Sequence, residues 1–215
     1  NINVTLIFSV DRYAEVMDAY LGGLEQRSSA GKPIGGQASV ASFFISRIDS
    51  KIDGWLDAII KAEGPNANLA AGLRGEIAVA SGKRAYARFK EIFGGERFRK
   101  LQEQGGRYQR PLWASTSTKD PSYPDTKYVD DLIGPNTVNT VPPATLEAFN
   151  DHGTVAMTVE KDLDAAEQAL DGLAKVGLSL DQATQELEDE GVASFSRAFA
   201  ALMETIEQRR KEVVG

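Results

Sequence analysis

Four strand-like segments, each followed by a helical pattern, govern what this chain can fold into. The strands are read at Asn3 to Ser9, Ala38 to Phe44, Pro111 to Thr116 and Thr137 to Val141. After the first, Asp11 stands where a cap belongs, and Tyr13, Val16, Met17, Tyr20, Leu21 and Leu24 recur at helical spacing. Helices are predicted over Asp49 to Glu63, Leu69 to Phe93 and Glu96 to Glu103 after the second strand. Further helices are predicted over Asp125 to Ile133 after the third, and from Pro143 to Phe149 after the fourth. Strand–helix alternation implies right-handed crossovers and a parallel sheet, so the fold class is α/β. Beyond Val159 the pattern is helical only: Leu163 to Lys175, Leu180 to Glu190 and Val192 to Glu212, with Gly177 and Gly191 as separators. The chain therefore divides into a strand–helix part, residues 1–153, and a helical extension, residues 154–215.

Four strands do not close a β/α barrel; eight do. Parallel strands are covered on both faces and normally read as continuously apolar. Here Asn3 and Thr5 interrupt the first strand, Ser42 the second, Ser115 and Ser117 follow Trp113 in the third, and Thr137 and Asn139 lie in the fourth. Alternation places Asn3, Thr5 and Ile7 on one side of the first strand, and Val4, Leu6 and Phe8 on the other. Val40, Ser42 and Phe44 share a side of the second strand, and Trp113, Ser115 and Ser117 a side of the third. A buried hydroxyl is ordinarily structural, bonded to a nearby carbonyl. Polar positions on all four strands favour a barrel lumen with a polar substrate at its mouth. The run Arg110-Pro111-Leu112-Trp113-Ala114-Ser115-Thr116-Ser117-Thr118-Lys119 fits that plan, an apolar entry ending in hydroxyls and a cation.

Composition narrows the chemistry. Net charge is −7, which disfavours nucleic acid and anionic membranes as partners, so any anion site must rest on a few local cations. Cysteine is absent and His152 is the single histidine, which excludes thiolate and His-rich metal sites and thiol nucleophiles. No apolar run reaches the ~18 residues of a spanning helix and no signal peptide is visible, so a cytoplasmic location is expected. The first residue is asparagine and strand-like sequence begins almost at once, which predicts either a processed terminus or the C-terminal part of a longer polypeptide.

Four segments, in order, resemble transaldolase: Asn3-Val4-Thr5-Leu6-Ile7-Phe8-Ser9, Ser39 through Arg47, Gln109 through Thr116, and Gly134 through Thr140. The resemblance extends over essentially the whole chain, including the helical tail. It implies an eight-stranded β/α (TIM) barrel, of which this chain holds strands five to eight, and transfer of a dihydroxyacetone unit between sugar phosphates in the pentose phosphate pathway. It also implies a Schiff base on a lysine, with no metal and no organic cofactor. In that family the lysine lies on the strand before the one that begins here, and the acidic residues lie further upstream. The resemblance thus implies a chain that is inactive alone, with the N-terminal half of the same polypeptide as its partner. Asn3 resembles the asparagine that bonds the dihydroxyacetone moiety, and Thr5 the threonine that holds the catalytic water. Ser42 resembles a serine on the substrate hydroxyls, and Phe44 an aromatic wall of the pocket. Arg47 resembles the phosphate-binding arginine and Ser115 a second phosphate contact. Where many members carry another arginine, this chain has Ser117, with Lys119 as the nearest cation.

Other readings stand beside these. A related Schiff-base aldolase would cleave a sugar phosphate without an acceptor; a non-catalytic half barrel would only bind one. Arg47 has alternative partners in Asp49 and Asp53, and Lys119 in the adjacent Asp120. Trp113 reads as core, Gly82-Lys83-Arg84 as helix rather than phosphate loop, Glu186 to Glu190 as a solvated face, and His152 as an exposed turn residue. A half barrel leaves edges open at its first and fourth strands, predicting stability only beside its upstream half or after pairing with another copy.

Overall fold

The computed structural model describes residues 1–214; Gly215, where the predicted extension ends, lies outside them. Four parallel strands, β1 (Ile2–Ile7), β2 (Ser39–Phe44), β3 (Gln109–Ala114) and β4 (Val138–Asn139), pair in chain order. Among the described residues β1 and β4 are the sheet's edges. Nine helices among the described residues join and follow them: α1 (Val10–Ser29), α2 (Ser46–Lys61), α3 (Ala67–Leu73), α4 (Ile77–Gly94), α5 (Glu96–Glu103), α6 (Lys127–Asp130), α7 (Pro143–His152), α8 (Leu163–Lys175) and α9 (Leu180–Val214). The α/β reading and the parallel sheet hold.

One face of the sheet is sealed beneath helices. Ala41, Phe43 and Trp113 are buried there, with Phe43 edge-on to both Tyr13 and Trp113 and the indole N–H donating to the Leu132 carbonyl at 2.9 Å. The other face is open along β1, where Asn3 and Thr5 are exposed, and half-open at Val40 and Phe44. Among the described residues, no helix is long and apolar enough to cross a membrane.

Several boundaries differ from expectation for identifiable reasons. The cap of α1 is Ser9, whose hydroxyl accepts the Arg12 N–H at 3.1 Å, and not Asp11, which falls in the first turn. The helix expected over Leu69 to Phe93 breaks at Arg74–Glu76, where Gly75 adopts φ +72°. The α6 helix is a single turn within the span predicted from Asp125 to Ile133. Gly191 does not end the helix it interrupts; α9 runs through it unbroken. Gly191 is buried, a Cβ there would lie 3.1 Å from Leu6, and the helix formers beyond it outweigh a cost of about 1 kcal/mol.

Alternation also fails in two places. A bulge in β1 sets Val4 opposite Ala41 but Ile7 opposite Phe43, with Leu6 at φ 61°. Ile7 and Phe8 are consequently both buried, and Phe8 lies 5.2 Å from Phe44 ring to ring. Trp113 and Asn139 pair in register on the helix-facing side, so Leu112 and Val138 supply the open face of β3 and β4. The polar positions predicted for the lumen therefore fall on that face in β1 and β2 only, and β3 contributes Arg110 there, at its amino end.

Gly75→Ala is expected to lower stability by about 1–3 kcal/mol in urea denaturation, because its left-handed backbone disfavours any side chain. The added methyl would also meet the Tyr123 ring at 2.8 Å.

Candidate functional site

The carboxyl ends of β2 and β3 gather the cations and hydroxyls singled out in the sequence. Both strands hand over to their following segments through a shared junction. The Ile45 N–H donates to the Ala114 carbonyl at 2.9 Å and the Ser46 N–H to the Ser115 carbonyl at 3.0 Å. Ser115 takes φ 57°, which ends the strand and swings its hydroxyl to within 3.0 Å of the Ser46 hydroxyl. Ser46 is buried and opens α2, so Ser115 is tied to the turn that carries Arg47.

Arg47 stands over the Phe44 ring at 5.4 Å and has no carboxylate partner among the described residues. It lines a cleft of about 460 Å³ between α2 and α9 with Ser50, Lys51, Leu187, Glu190 and Ser194. The alternative pairing of Arg47 with Asp49 or Asp53 is not what forms. Both carboxylates turn inward: Asp49 accepts from the Ala78 N–H at 2.7 Å and the Tyr128 hydroxyl at 2.9 Å. Asp53 accepts from the Gly75 N–H at 3.0 Å and the Tyr123 hydroxyl at 2.8 Å. Burial pushes the Asp49 carboxyl up to about 7, and burial raises Asp53 as well.

Lys119 is exposed and donates to the Ser117 hydroxyl at 2.6 Å. Its neighbour Asp120 is taken by Arg74 at 2.9 Å and by Ser122, so it is not the partner of Lys119. The loop bearing Ser117 and Lys119 is fastened to α2 through Tyr123 and Asp53, and α6 beyond it through Tyr128 and Asp49. Sequence reasoning missed this carboxylate pair. Its signal was present: Asp49 and Asp53 sit four apart, each directly after a member of the buried row Ile48, Ile52, Leu56.

On the open face the Ser42 hydroxyl donates to the Asn3 carbonyl oxygen at 2.7 Å, joining two of the predicted residues. Thr5 lies on the same face, one alternation further along β1. Neutral hydroxyls and an amide line the sheet here while the cations stand at its carboxyl end, an arrangement suited to a polyhydroxylated ligand with an anionic terminus. A hollow of about 750 Å³ lined by Asn3, Ile2, Arg107, Tyr108 and Arg110 lies toward the opposite, amino end of the strands. Ligands of parallel α/β sheets bind outside the carboxyl ends of the strands, which favours the Arg47 side. His152, the last residue of α7, lies between Asp125 and Asp151 at 2.8 and 3.0 Å; the bond to Asp125 chiefly raises its imidazole above the ordinary range.

Comparison with known proteins identifies the family. The family model described as transaldolase/fructose-6-phosphate aldolase matches residues 1–206. The chain is 47% identical over 97% of its length to the transaldolases of Saccharopolyspora erythraea and Thermobifida fusca. It is 43% identical over 99% of its length to that of Trichodesmium erythraeum. It spans about half the length of these curated relatives, 55% in the first two and 57% in the third.

Proposed function

Because the chain belongs to the transaldolase/fructose-6-phosphate aldolase family, we propose that it forms the downstream half, strands five to eight, of an eight-stranded β/α barrel that transfers a dihydroxyacetone unit between sugar phosphates. The upstream half, which the greater length of the relatives makes room for, would carry the Schiff-base lysine and the acidic groups. The observation that carries this reading is the convergence of a neutral polar face, Asn3 with Ser42, on a carboxyl end whose free guanidinium is Arg47.

In the reaction proposed, the lysine amine condenses with the ketose carbonyl and releases water. The carbon–carbon bond beyond the adjacent hydroxyl carbon then breaks, freeing an aldose phosphate and leaving an enamine that attacks the acceptor aldehyde. Hydrolysis returns the lysine. Asn3 would hold the hydroxyl next to the imine and Ser42 another substrate hydroxyl. Thr5 would hold the water that relays protons, and Phe44 would wall the pocket. Arg47 and Ser115, with Ser117 and Lys119, would take the phosphate. No metal or organic cofactor has a part in these steps.

Borohydride trapping with fructose 6-phosphate tests the proposal. The 215-residue chain should acquire no covalent adduct by itself. A polypeptide joining it to the upstream segment of the Saccharopolyspora relative should acquire one adduct, on an upstream lysine. An adduct on the chain alone would overturn this placement of the nucleophile. Release of the aldose phosphate without an aldose acceptor would favour the aldolase reaction of the same family.

A further inference from the structure

The cleft beside Arg47 holds a second cation. Lys51 stands one turn beyond Arg47 on α2, and its side chain is only 14% exposed. Two carboxylates of α9 hold its ammonium, Glu186 at 2.8 Å and Glu190 at 2.8 Å, above the Trp55 ring. These bonds keep the ammonium above its ordinary range, the one to Glu186 chiefly. One cation facing two anions leaves an excess negative charge beside Arg47, whose guanidinium has no carboxylate partner among the described residues.

The two carboxylates are not equivalent. Glu190 lines the cleft and is 65% exposed, whereas Glu186 lies outside the lining. An exposed ion pair is weak and readily exchanged. A phosphate spanning a guanidinium and an ammonium gains charge-assisted bonds to both. We infer that Lys51 is a further phosphate-binding cation, supplying the charge that the family resemblance places at Ser117, and that Glu190 is the carboxylate the phosphate displaces from it; this rests on the phosphate reading of Arg47 above. Glu186 keeps its bond and holds the ammonium in place during the exchange. A ligand carboxylate offers Lys51 no more than Glu190 already does. The exchange therefore favours a phosphate, with its greater charge and extra oxygen, over a sugar acid.

Every group invoked lies on this chain, so the test is a titration of the 215-residue chain with fructose 6-phosphate, followed by phosphorus NMR. Lys51→Gln should weaken binding about tenfold, and Lys51→Arg should retain it. Glu190→Gln should tighten binding about three- to tenfold, because the amide still fills the cleft but no longer competes for the ammonium. Glu186→Gln removes the same charge from the same helix and should bring no such gain. Equal tightening by both Gln variants would mean a general field effect. Weakening by Glu190→Gln would mean a clamp that only fastens α9 to α2. Either result, or full binding by Lys51→Gln, overturns the inference. Arg47→Ala separates that failure from failure of the reading beneath it. No binding by the parent chain, or equal binding by Arg47→Ala, would overturn the phosphate reading itself. Loss in Arg47→Ala without loss in Lys51→Gln would leave that reading standing and remove Lys51 from the site.

Discussion

In the barrel proposed, Arg47→Ala is expected to lower kcat/KM for the proposed sugar-phosphate substrate by about 100-fold or more, with the loss mainly in KM. A charge-assisted hydrogen bond contributes about 1.5–3 kcal/mol and a planar guanidinium offers two to one phosphate, while 1.4 kcal/mol is a factor of ten. The chain's net charge of −7 makes the loss harder to compensate, because the long-range field repels the ligand and only local cations hold it. Arg47→Lys should recover only part of the affinity, since an ammonium cannot present the fork that lies over Phe44. Lys119→Ala should matter less, at about tenfold, because its amine is exposed and engaged with Ser117. The decisive comparison uses an unphosphorylated ketose donor. If Arg47 serves the phosphate, the Ala variant and the parent should turn that donor over equally slowly. An equal loss with both donors would remove Arg47 from the phosphate site.

That Arg47 stands past the carboxyl end of β2 was legible in the sequence, because a strand ending in Ser42-Phe43-Phe44 and leading into a helix can put its next cation only there. The parallel sheet and the burial of Trp113 were legible for the same kind of reason, since alternation and size act locally. What escaped were effects of neighbours. The Leu6 bulge arises from pairing against β2 and flips the face of everything after it, so no period-two reading of β1 alone could find it. Trp113 was assigned with Ser115 and Ser117 by counting in twos, but Ser115 leaves the strand conformation to meet Ser46. Gly191 read as a stop because glycine commonly is one; its burial against Leu6 and Phe8 is a tertiary fact. The inward Asp49 and Asp53 were weighed as partners for Arg47 on the outside of a helix, because most carboxylates on helices face solvent.

Those two carboxylates make the second large effect. Asp49→Ala is expected to cost about 3 kcal/mol of folding stability, because it strands the Ala78 N–H and the Tyr128 hydroxyl inside the protein. Asp49→Asn should behave differently. Its amide oxygen can still accept from Ala78, and its amino group can donate to the Tyr128 oxygen if that hydroxyl turns. The pH dependence separates charge from shape. Asp49 titrates near 7 in the folded chain against about 3.9 when unfolded, so between those values the folded state holds a proton the unfolded state has released. Stability therefore falls as pH rises from about 4 to 7 and levels off above, where both states are ionised. Asp53, raised in the same direction, adds a smaller slope of the same sign. Urea denaturation at pH 5 and pH 8 should show the parent losing stability over this interval and Asp49→Asn losing much less, retaining only the Asp53 part. Identical slopes would mean that Asp49 ionises as freely as a surface carboxylate; the bonds it accepts from Ala78 and Tyr128, which a carboxylate accepts as well as an acid does, would still tie the first turn of α2, and with it Arg47, to α4 and α6.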